Sequence, residues 1–593
     1  RDLHSFPTRR SSDLHITVRE LGKVFGLPKA EIDQLATTGY YNGDSRGESF
    51  AEKQAPDHIH KMILQYGKLL ENFPNHLSIH PGGILISEEP IYNYTAIQMP
   101  PKGFPVAQLD MFIAENIGLY KLDILSQRGL GHIKEAQRLV RVNKGISINI
   151  DDVANFKKDP NLRAQIKEVN TIGCFYIESP AMRQLLKKLK CDDYLTLVAA
   201  SSIIRPGVAQ SGMMRQYIER FHEPEKINYL HPKIAELLKE TFGVMVYQED
   251  VIKVAHYFAG LDLGDADILR RAMSGKYRSH HRFLLIEEKY FSNCKALGYS
   301  DELAQEVWRQ MKSFGAYSFS KAHSASFAVE SFQSLFLKTY YPMEFMVAVI
   351  NNEGGFYNTA LYMLELMKTG AVLHGPCVNN SEYFTHITGT NVYVGFRRIK
   401  SLQEKFALMI VEERLRTGFY LHLQDFIERT GITAEQLNIL IQADAFRFTG
   451  KNKKQLLWEA NFLQKRNDNP VRVQRLFREA VREFKLPDLP VYPVDDMYDQ
   501  IELMGFPLCN PFELVDDDPE KYLRASEMKD FIGKTVTVLG YHVTQKPVRT
   551  IHGDTMSFGT FMDVHLDWID TIHFPEVHRR YMEIGRASCR ERV

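Results

Sequence analysis

The densest group of chemistry-bearing side chains is cationic. Arg270, Arg271, Lys276, Arg278 and Arg282 fall within thirteen positions, joined by His280 and His281, with no acid between Asp267 and Glu287. A phosphate backbone or a nucleoside triphosphate requires such a cluster, because each neutralised phosphate releases counterions and a guanidinium can hold two phosphoryl oxygens at once. A solvated helix face has the same composition. Arg183, Lys187, Lys188 and Lys190 form a second cluster over about two helical turns and carry the same two readings.

A different chemistry attaches to Asp123 in the apolar run LYKLDIL, 119–125. A lone carboxylate in a buried run is costly unless it is paired or bound to a metal. Lys121, two residues earlier, shares its face of a strand and is the alternative partner. Asp265 and Asp267 form a DxD, but positions i and i+2 diverge on a helix, so capping is expected there. Tyr317, Phe319, Phe327, Phe332 and Phe336 flank Lys321 and His323. Rings beside cations can stack on bases, yet this helical spacing assigns most of them to a core.

The elements that must position these groups are mostly helical. Residues 15–35 read as two short helices broken at Gly26-Leu27-Pro28, and 58–70 as an amphipathic helix. The runs 79–86 (IHPGGILI) and 118–125 (GLYKLDIL) suit two strands of a small sheet. Helical periodicity dominates from Gly131 to about Leu366, with a helix end at Pro342. Residues 397–458 hold two helix–turn–helix-sized units around Gly418 and Gly431, and the Pro/Asp-rich stretch 467–499 reads as a linker. Beyond it, alternating residues with a turn at His552-Gly553-Asp554 predict antiparallel strands of a small barrel or sandwich.

With 593 residues, 44% hydrophobic and 25% charged, the chain has the composition of a multidomain folded protein, and wholesale disorder is excluded. Lys+Arg and Asp+Glu balance at 73 each, so any basic surface must be local. The six cysteines, at 174, 191, 294, 377, 509 and 589, contain no CxxC pair, which argues against zinc, iron–sulfur and disulfide frameworks and fits a reducing compartment. The longest apolar stretches, such as 194–204, fall short of the ~18–20 residues of a membrane span, so no membrane partner is expected. Residues 1–14 and 583–593 are Arg/Ser-rich without apolar periodicity and resemble translated sequencing-adapter read-through, which predicts a chain cut at both ends.

Seven segments occur in the order of a known family: HPGGILIS (80–87), GLYKLDILSQRGL (118–130), FYIESPAMRQLL (175–186), RPGVAQSGM (205–213), FGVMVYQEDVIKVA (242–255), ADILRRAMSGK (266–276) and FSKAHSASFAVESFQSLFLKTYYPMEFM (319–346). Together they resemble the bacterial replicative DNA polymerases of family C, the DNA polymerase III alpha-subunit family, and are most similar to those of the Bacteroidetes kind. The resemblance implies a multidomain α+β, predominantly helical protein. Its parts would be a thumb at 15–78, the second segment only of a nucleotidyltransferase-like palm at 79–128, fingers at 129–390, a tandem helix–hairpin–helix at 391–460, a linker at 461–497 and an OB-fold, truncated, at 498–582.

The same resemblance implies template-directed DNA synthesis by two-metal nucleotidyl transfer with two Mg²⁺ ions. Asp123 matches a catalytic, metal-binding palm carboxylate, and Lys121 matches a catalytic lysine near the triphosphate. Arg205, Arg270, Arg271, Lys276, Lys321 and His323 match nucleotide-binding positions, with His323 facing the ribose 2′ position. Gln474, Leu476 and Phe477 resemble a clamp-binding peptide. Implied partners are primer–template DNA, deoxynucleoside triphosphates, the sliding clamp and other replisome subunits, in the bacterial cytoplasm at the nucleoid. The family's PDxDxDF carboxylates and its Gly/Ser-rich phosphate motif do not occur in this sequence, which predicts no synthesis by the chain as printed. The hairpin segment IKSLQEKFALMI also lacks the glycines whose amides would meet a phosphate. An error-prone translesion polymerase and a noncatalytic DNA-binding scaffold are the alternatives.

Overall fold

The computed structural model describes residues 10–29, 31–32, 58–70, 83–99, 103–109, 111–124, 127–204, 212–273, 280–314, 320–464, 490, 492–550 and 554–581. The chain divides into two compact units, 1–127 and 128–593.

In the first unit, helix α1 (Arg10–Val24) begins five residues before His15, inside the segment set apart on composition. It packs on α2 (His58–Leu70), which fills the range its apolar spacing predicts. Val18 and Ile63 are fully buried between them, with Leu21, Phe25 and Leu27 around the pair. Strand β1 (Gly83–Ile86) follows, then the short ladder of β2 (Ile97–Gln98) with β3 (Val106–Ala107), helix α3 (Met111–Asn116) and β4 (Tyr120–Asp123). β1 and β4 pair antiparallel with Gly83 opposite Asp123 and Leu85 opposite Lys121. The two expected strands therefore form one ladder.

The second unit opens with α4 (Arg128–Lys144), α5 (Val153–Phe156), α6 (Pro160–Lys167), α7 (Pro180–Leu189), α8 (Tyr194–Ile203), α9 (Met213–His222) and α10 (Pro232–Leu237). Next come α11 (Gln248–Lys253), α12 (Leu263–Met273), α13 (His280–Ala296), α14 (Asp301–Phe314), α15 (Lys321–Tyr340), α16 (Pro342–Asn351) and α17 (Thr359–Lys368). Local chemistry sets these boundaries. Asp159, Ser179, Asp193 and Asn358 accept first-turn amides as N-caps, and Pro160, Pro180, Pro232 and Pro342 occupy first-turn positions where no amide donor is needed. Helix α15 is the axis of this region and packs against α4, α5, α6, α8 and α16. Two buried carboxylates tie the layer together. Glu178 accepts from the Gly173 amide at 2.8 Å and the Tyr362 hydroxyl at 3.0 Å, and Glu365 takes Lys338 at 3.4 Å while Lys338 also donates to Ile172 O at 2.7 Å.

Strands β5 (Val372–His374), β6 (His386–Thr388) and β7 (Asn391–Tyr393) make a sheet of order β5-β7-β6, with β5 parallel to β7. A separate core then gathers α18 (Glu404–Thr417), α19 (Leu423–Thr430), α20 (Ala434–Gln442) and α21 (Lys453–Gln464). Gly418 at φ +88° and Gly431 at φ +59° end α18 and α19, a conformation glycine adopts without steric cost. The expected linker differs from the structure at both margins, because α21 runs to Gln464 and α22 (Pro493–Met504) starts inside it. Pro493 and the first-turn acids Asp495 and Asp496 are helix-start residues as well as loop formers. Last come β8 (Tyr541–Arg549), β9 (Thr555–Met562) and β10 (Trp568–His573), an antiparallel sheet in the order β10-β9-β8, and α23 (Pro575–Tyr581). Three strands are described here, where a small barrel or sandwich was expected; the turn at 552–553 and the terminal segment 583–593 lie outside the described residues.

Glu330, on the buried face of α15, shows how tightly this core is built. Its Oε1 reaches no hydrogen-bond partner among the described residues, and a Cβ at Gly129 would overlap it and the Phe175 ring. Burial pushes its carboxyl from the ordinary 4.5 to about 7. The folded chain thus holds this proton more tightly than the unfolded chain, so stability falls as pH rises across that window. Glu330→Gln should therefore raise the thermal midpoint at pH 8 by about 2–4 °C and leave it unchanged at pH 4, measured by calorimetry.

Candidate functional site

In the first unit the strand β4 places Lys121 and Asp123 on one face, as residues two apart on a strand must lie. Lys121 Nζ stands 3.0 Å from Asp123 Oδ1, so the structural pair is formed. The carboxylate is 50% exposed, whereas the sequence reading put it in a buried run. The apolar side chains of Ile84, Ile86, Tyr120 and Leu122 are also exposed, because the face of the two-stranded ladder that they share is uncovered, while Leu85 and Lys121 on the other face are half-buried. Asp123 therefore avoids the desolvation cost that would have demanded a metal. Its hard oxygens suit a divalent cation as one ligand of several. Among the described residues no group of three His, Cys, Asp or Glu side chains is placed to hold a metal ion.

In the second unit the first turn of α11 organises the cations. Asp250 accepts the amides of Val246 and Tyr247 at 3.0 and 2.9 Å and fixes the start of this helix. Burial pushes the Asp250 carboxyl upward. Two neighbouring residues then reach two different elements. Gln248 Oε1 accepts from Arg270 Nη1 at 3.1 Å, and Glu249 Oε2 accepts the backbone N–H of Lys321 at 2.9 Å. Arg270 and Lys321, 51 positions apart in sequence, are thereby held by adjacent residues of one helical turn.

Each cation also carries an internal carboxylate. Asp267 lies 2.8 Å from both Arg270 Nη2 and Arg271 Nε. Burial raises the Asp267 carboxyl, but the two guanidiniums outweigh it and hold the group below its ordinary range. Asp265 and Asp262 both pair with Lys289, and Asp262 Oδ1 caps the amide of Asp265 at 2.8 Å. The DxD thus serves ion pairs on α12 and the neighbouring α13, with the cap supplied by Asp262. Lys321 Nζ meets both oxygens of Glu240, at 2.5 and 2.7 Å.

His323 sits in the first turn of α15, where Ser320 Oγ accepts its amide at 3.2 Å. Its ring packs 4.1 Å from that of Phe327, which meets Phe175 and Tyr176 edge-on. The imidazole is half-buried and directed by an aromatic cluster. Of the flanking rings, Phe332 is fully buried and Phe336 stacks on Phe156, as core residues do. Arg205, Lys276, Gln474, Leu476 and Phe477 lie outside the described residues. Gln248, Glu249 and Glu240 were given no role on sequence, although the first two stand in the segment VYQED; a polar QE pair after an apolar run was the available signal.

The hairpin before α18 retains its shape without glycine. Ser401 adopts φ +64°, and the buried Gln436 donates to Ser401 O at 3.0 Å while accepting the Gln403 amide at 2.8 Å. That amide is satisfied within the protein. Lys400 further donates its amide to Leu503 O at 2.8 Å, which fastens the hairpin to α22.

Three family models match the chain in sequence order: the bacterial DNA polymerase III alpha NTPase domain over 8–126, the bacterial DNA polymerase III alpha subunit finger domain over 129–298 and a helix-hairpin-helix motif over 370–456. DNA polymerase III subunit alpha of Aquifex aeolicus (strain VF5) is 28% identical over 609 residues, covering 96% of this chain and 51% of that protein. The same subunit of Staphylococcus aureus (strain MRSA252) is 29% identical over 586 residues, covering 95% of this chain and 53% of that protein. The chain spans about half the length of these curated relatives. The cations of α12 lie within the segment matched by the finger model, Lys321 and His323 of α15 lie beyond it, the Lys121–Asp123 strand lies within the segment matched by the NTPase model, and over nearly its whole length the chain is similar to bacterial DNA polymerase III alpha subunits.

Proposed function

We propose that this chain is the fingers-bearing part of a bacterial replicative DNA-directed DNA polymerase. The observation that carries this reading is the first turn of α11, where Gln248 Oε1 accepts from the Arg270 guanidinium and Glu249 Oε2 accepts the backbone N–H of Lys321, while Asp267 pairs with both Arg270 and Arg271. Three cations on two helices that meet one turn of α11 suit an incoming triphosphate, whose oxygens are matched by two guanidiniums and an ammonium. The relatives named as DNA polymerase III subunit alpha support that substrate class.

In this reading Arg270, Arg271 and Lys321 orient the triphosphate, and His323 stands by the sugar. Lys121, ion-paired to Asp123 at 3.0 Å, is the catalytic lysine near the triphosphate. Asp123 is one ligand of the magnesium site, and magnesium, when bound, supplies charge neutralisation of the triphosphate and activation of the primer 3′-hydroxyl. The remaining ligands would come from carboxylates elsewhere in the gene product. The thumb at 15–78, palm segment at 79–128, fingers at 129–390, helix–hairpin–helix at 391–460 and OB-fold at 498–582 belong to the same proposal. So do Arg205 and Lys276 as nucleotide contacts and Gln474, Leu476 and Phe477 as the clamp peptide. Because the Gln403 amide is already bonded to Gln436, DNA contact by the first hairpin must use other groups.

Two substitutions in the complete gene product test the reading. Asp123→Asn should lower turnover by orders of magnitude with little loss of primer–template affinity, since the carboxylate serves the metal and not the duplex. Near-normal turnover would return Asp123 to a purely structural pair with Lys121. His323→Ala should raise incorporation of rATP relative to dATP in single-nucleotide assays, because a side chain at the 2′ position discriminates by clash. An unchanged ratio removes His323 from the sugar.

A further inference from the structure

We propose that Glu240 is an internal competitor for the triphosphate, a carboxylate that occupies Lys321 until a nucleotide displaces it. The inference rests on the nucleotide-binding reading of Lys321 and adds a residue that lowers affinity instead of providing it.

The Glu240 carboxylate comes from a different part of the fold. Arg270 and Arg271 pair with Asp267 on their own helix, three and four residues back, which is the default partner of a surface cation. Glu240 is 81 positions from Lys321 and reaches it from the single 3₁₀ turn Lys239–Thr241. That turn is pinned. Thr241 and Gly243 donate their amides to Leu238 O, Phe242 and Gly243 take left-handed backbone at φ +56° and +75°, and Arg220 Nη1 donates to Phe242 O at 2.9 Å. The side chain of Glu240 has no other partner among the described residues, so its two oxygens are committed to Lys321 Nζ.

The pair is built for exchange. Lys321 is 37% and Glu240 52% exposed, so water and ligands reach both. An exposed pair of this kind contributes too little to hold an element of the fold but enough to be felt by a competing anion. The anchoring of α15 does not depend on it, because Glu249 holds the Lys321 amide and Ser320 caps the helix. A carboxylate presents two oxygens to the ammonium as a phosphoryl group does. Binding a triphosphate then replaces the Glu240 oxygens on Nζ with phosphoryl oxygens, and Glu240 passes to water. Release of the anion restores the pair.

The test is isothermal titration of inorganic tripolyphosphate into the full 593-residue chain, with the wild type, Lys321→Met, Glu240→Gln, and the two substitutions combined. The competitor role requires that Lys321→Met weakens binding and that Glu240→Gln tightens it by roughly two- to fivefold. It also requires that the gain disappears in the double variant. Glu240→Asp, which keeps the charge on a shorter arm, should fall between wild type and Glu240→Gln and guards against a folding defect in the latter. Binding that depends on Lys321 but is unchanged or weakened by Glu240→Gln overturns the competitor role and leaves the nucleotide reading intact. Binding that is absent or indifferent to Lys321→Met overturns the nucleotide reading of Lys321 itself, and the proposal with it.

Discussion

Burial of α15 along its length is the constraint on which the rest of the second unit depends. Phe332, Leu335 and Leu337 are fully buried, and each such side chain contributes ~1.5–3 kcal/mol relative to exposure. Polar contacts fix the helix in rotation: the Tyr194 hydroxyl donates to Ala325 O at 2.8 Å, and the hydroxyls of Ser202 and Ser324 lie 2.7 Å apart. The first turn emerges from this core and carries Lys321 and His323. Packing energy therefore sets where Lys321 and His323 stand, while the ion pairs around them are exposed.

The balance of charge has the same local logic. The chain is neutral in total, and the cations of α12 and the first turn of α15 carry their own acids, Asp267 for Arg270 and Arg271 and Glu240 for Lys321. A guanidinium or ammonium left alone at a half-buried position would pay a desolvation cost, and a neighbouring carboxylate offsets it. The proposed phosphate-binding surface would be invisible to net charge, since every cation it uses is counted against a partner acid.

Much of the fold was legible in the residues. The apolar spacing of 58–70 gave a helix with those limits, the runs around 84 and 122 paired as one ladder, and Pro342 separates α15 from α16. What was not legible depended on tertiary neighbours. An apolar run around Asp123 signals burial only if something covers the ladder, and in this structure its apolar face is exposed. The start of the helix at 493–504 read as the end of a linker because Pro and Asp mark both loops and helix starts, and only context separates them. The acid-free stretch after Asp267 suggested bare cations, yet the partner acid stood one turn earlier on the same helix. Ser401 takes a glycine-like φ because Gln436 supplies the hydrogen bonds that hold it, a relation no local pattern encodes. Gln248 and Glu240 likewise reach their partners across 22 and 81 positions.

The central claim, that the first turns of α11 and α15 with α12 form a nucleotide-binding layer, is tested most directly by photoaffinity labelling. A photoreactive deoxynucleoside triphosphate would be crosslinked to the complete gene product on a primed template, and the adducts mapped by mass spectrometry. The account requires adducts concentrated in the peptides around 245–250, 263–273 and 320–327 and suppressed by excess unlabelled nucleotide. Competable adducts confined to other elements, such as the α18–α21 region or the β8–β10 sheet, would contradict it.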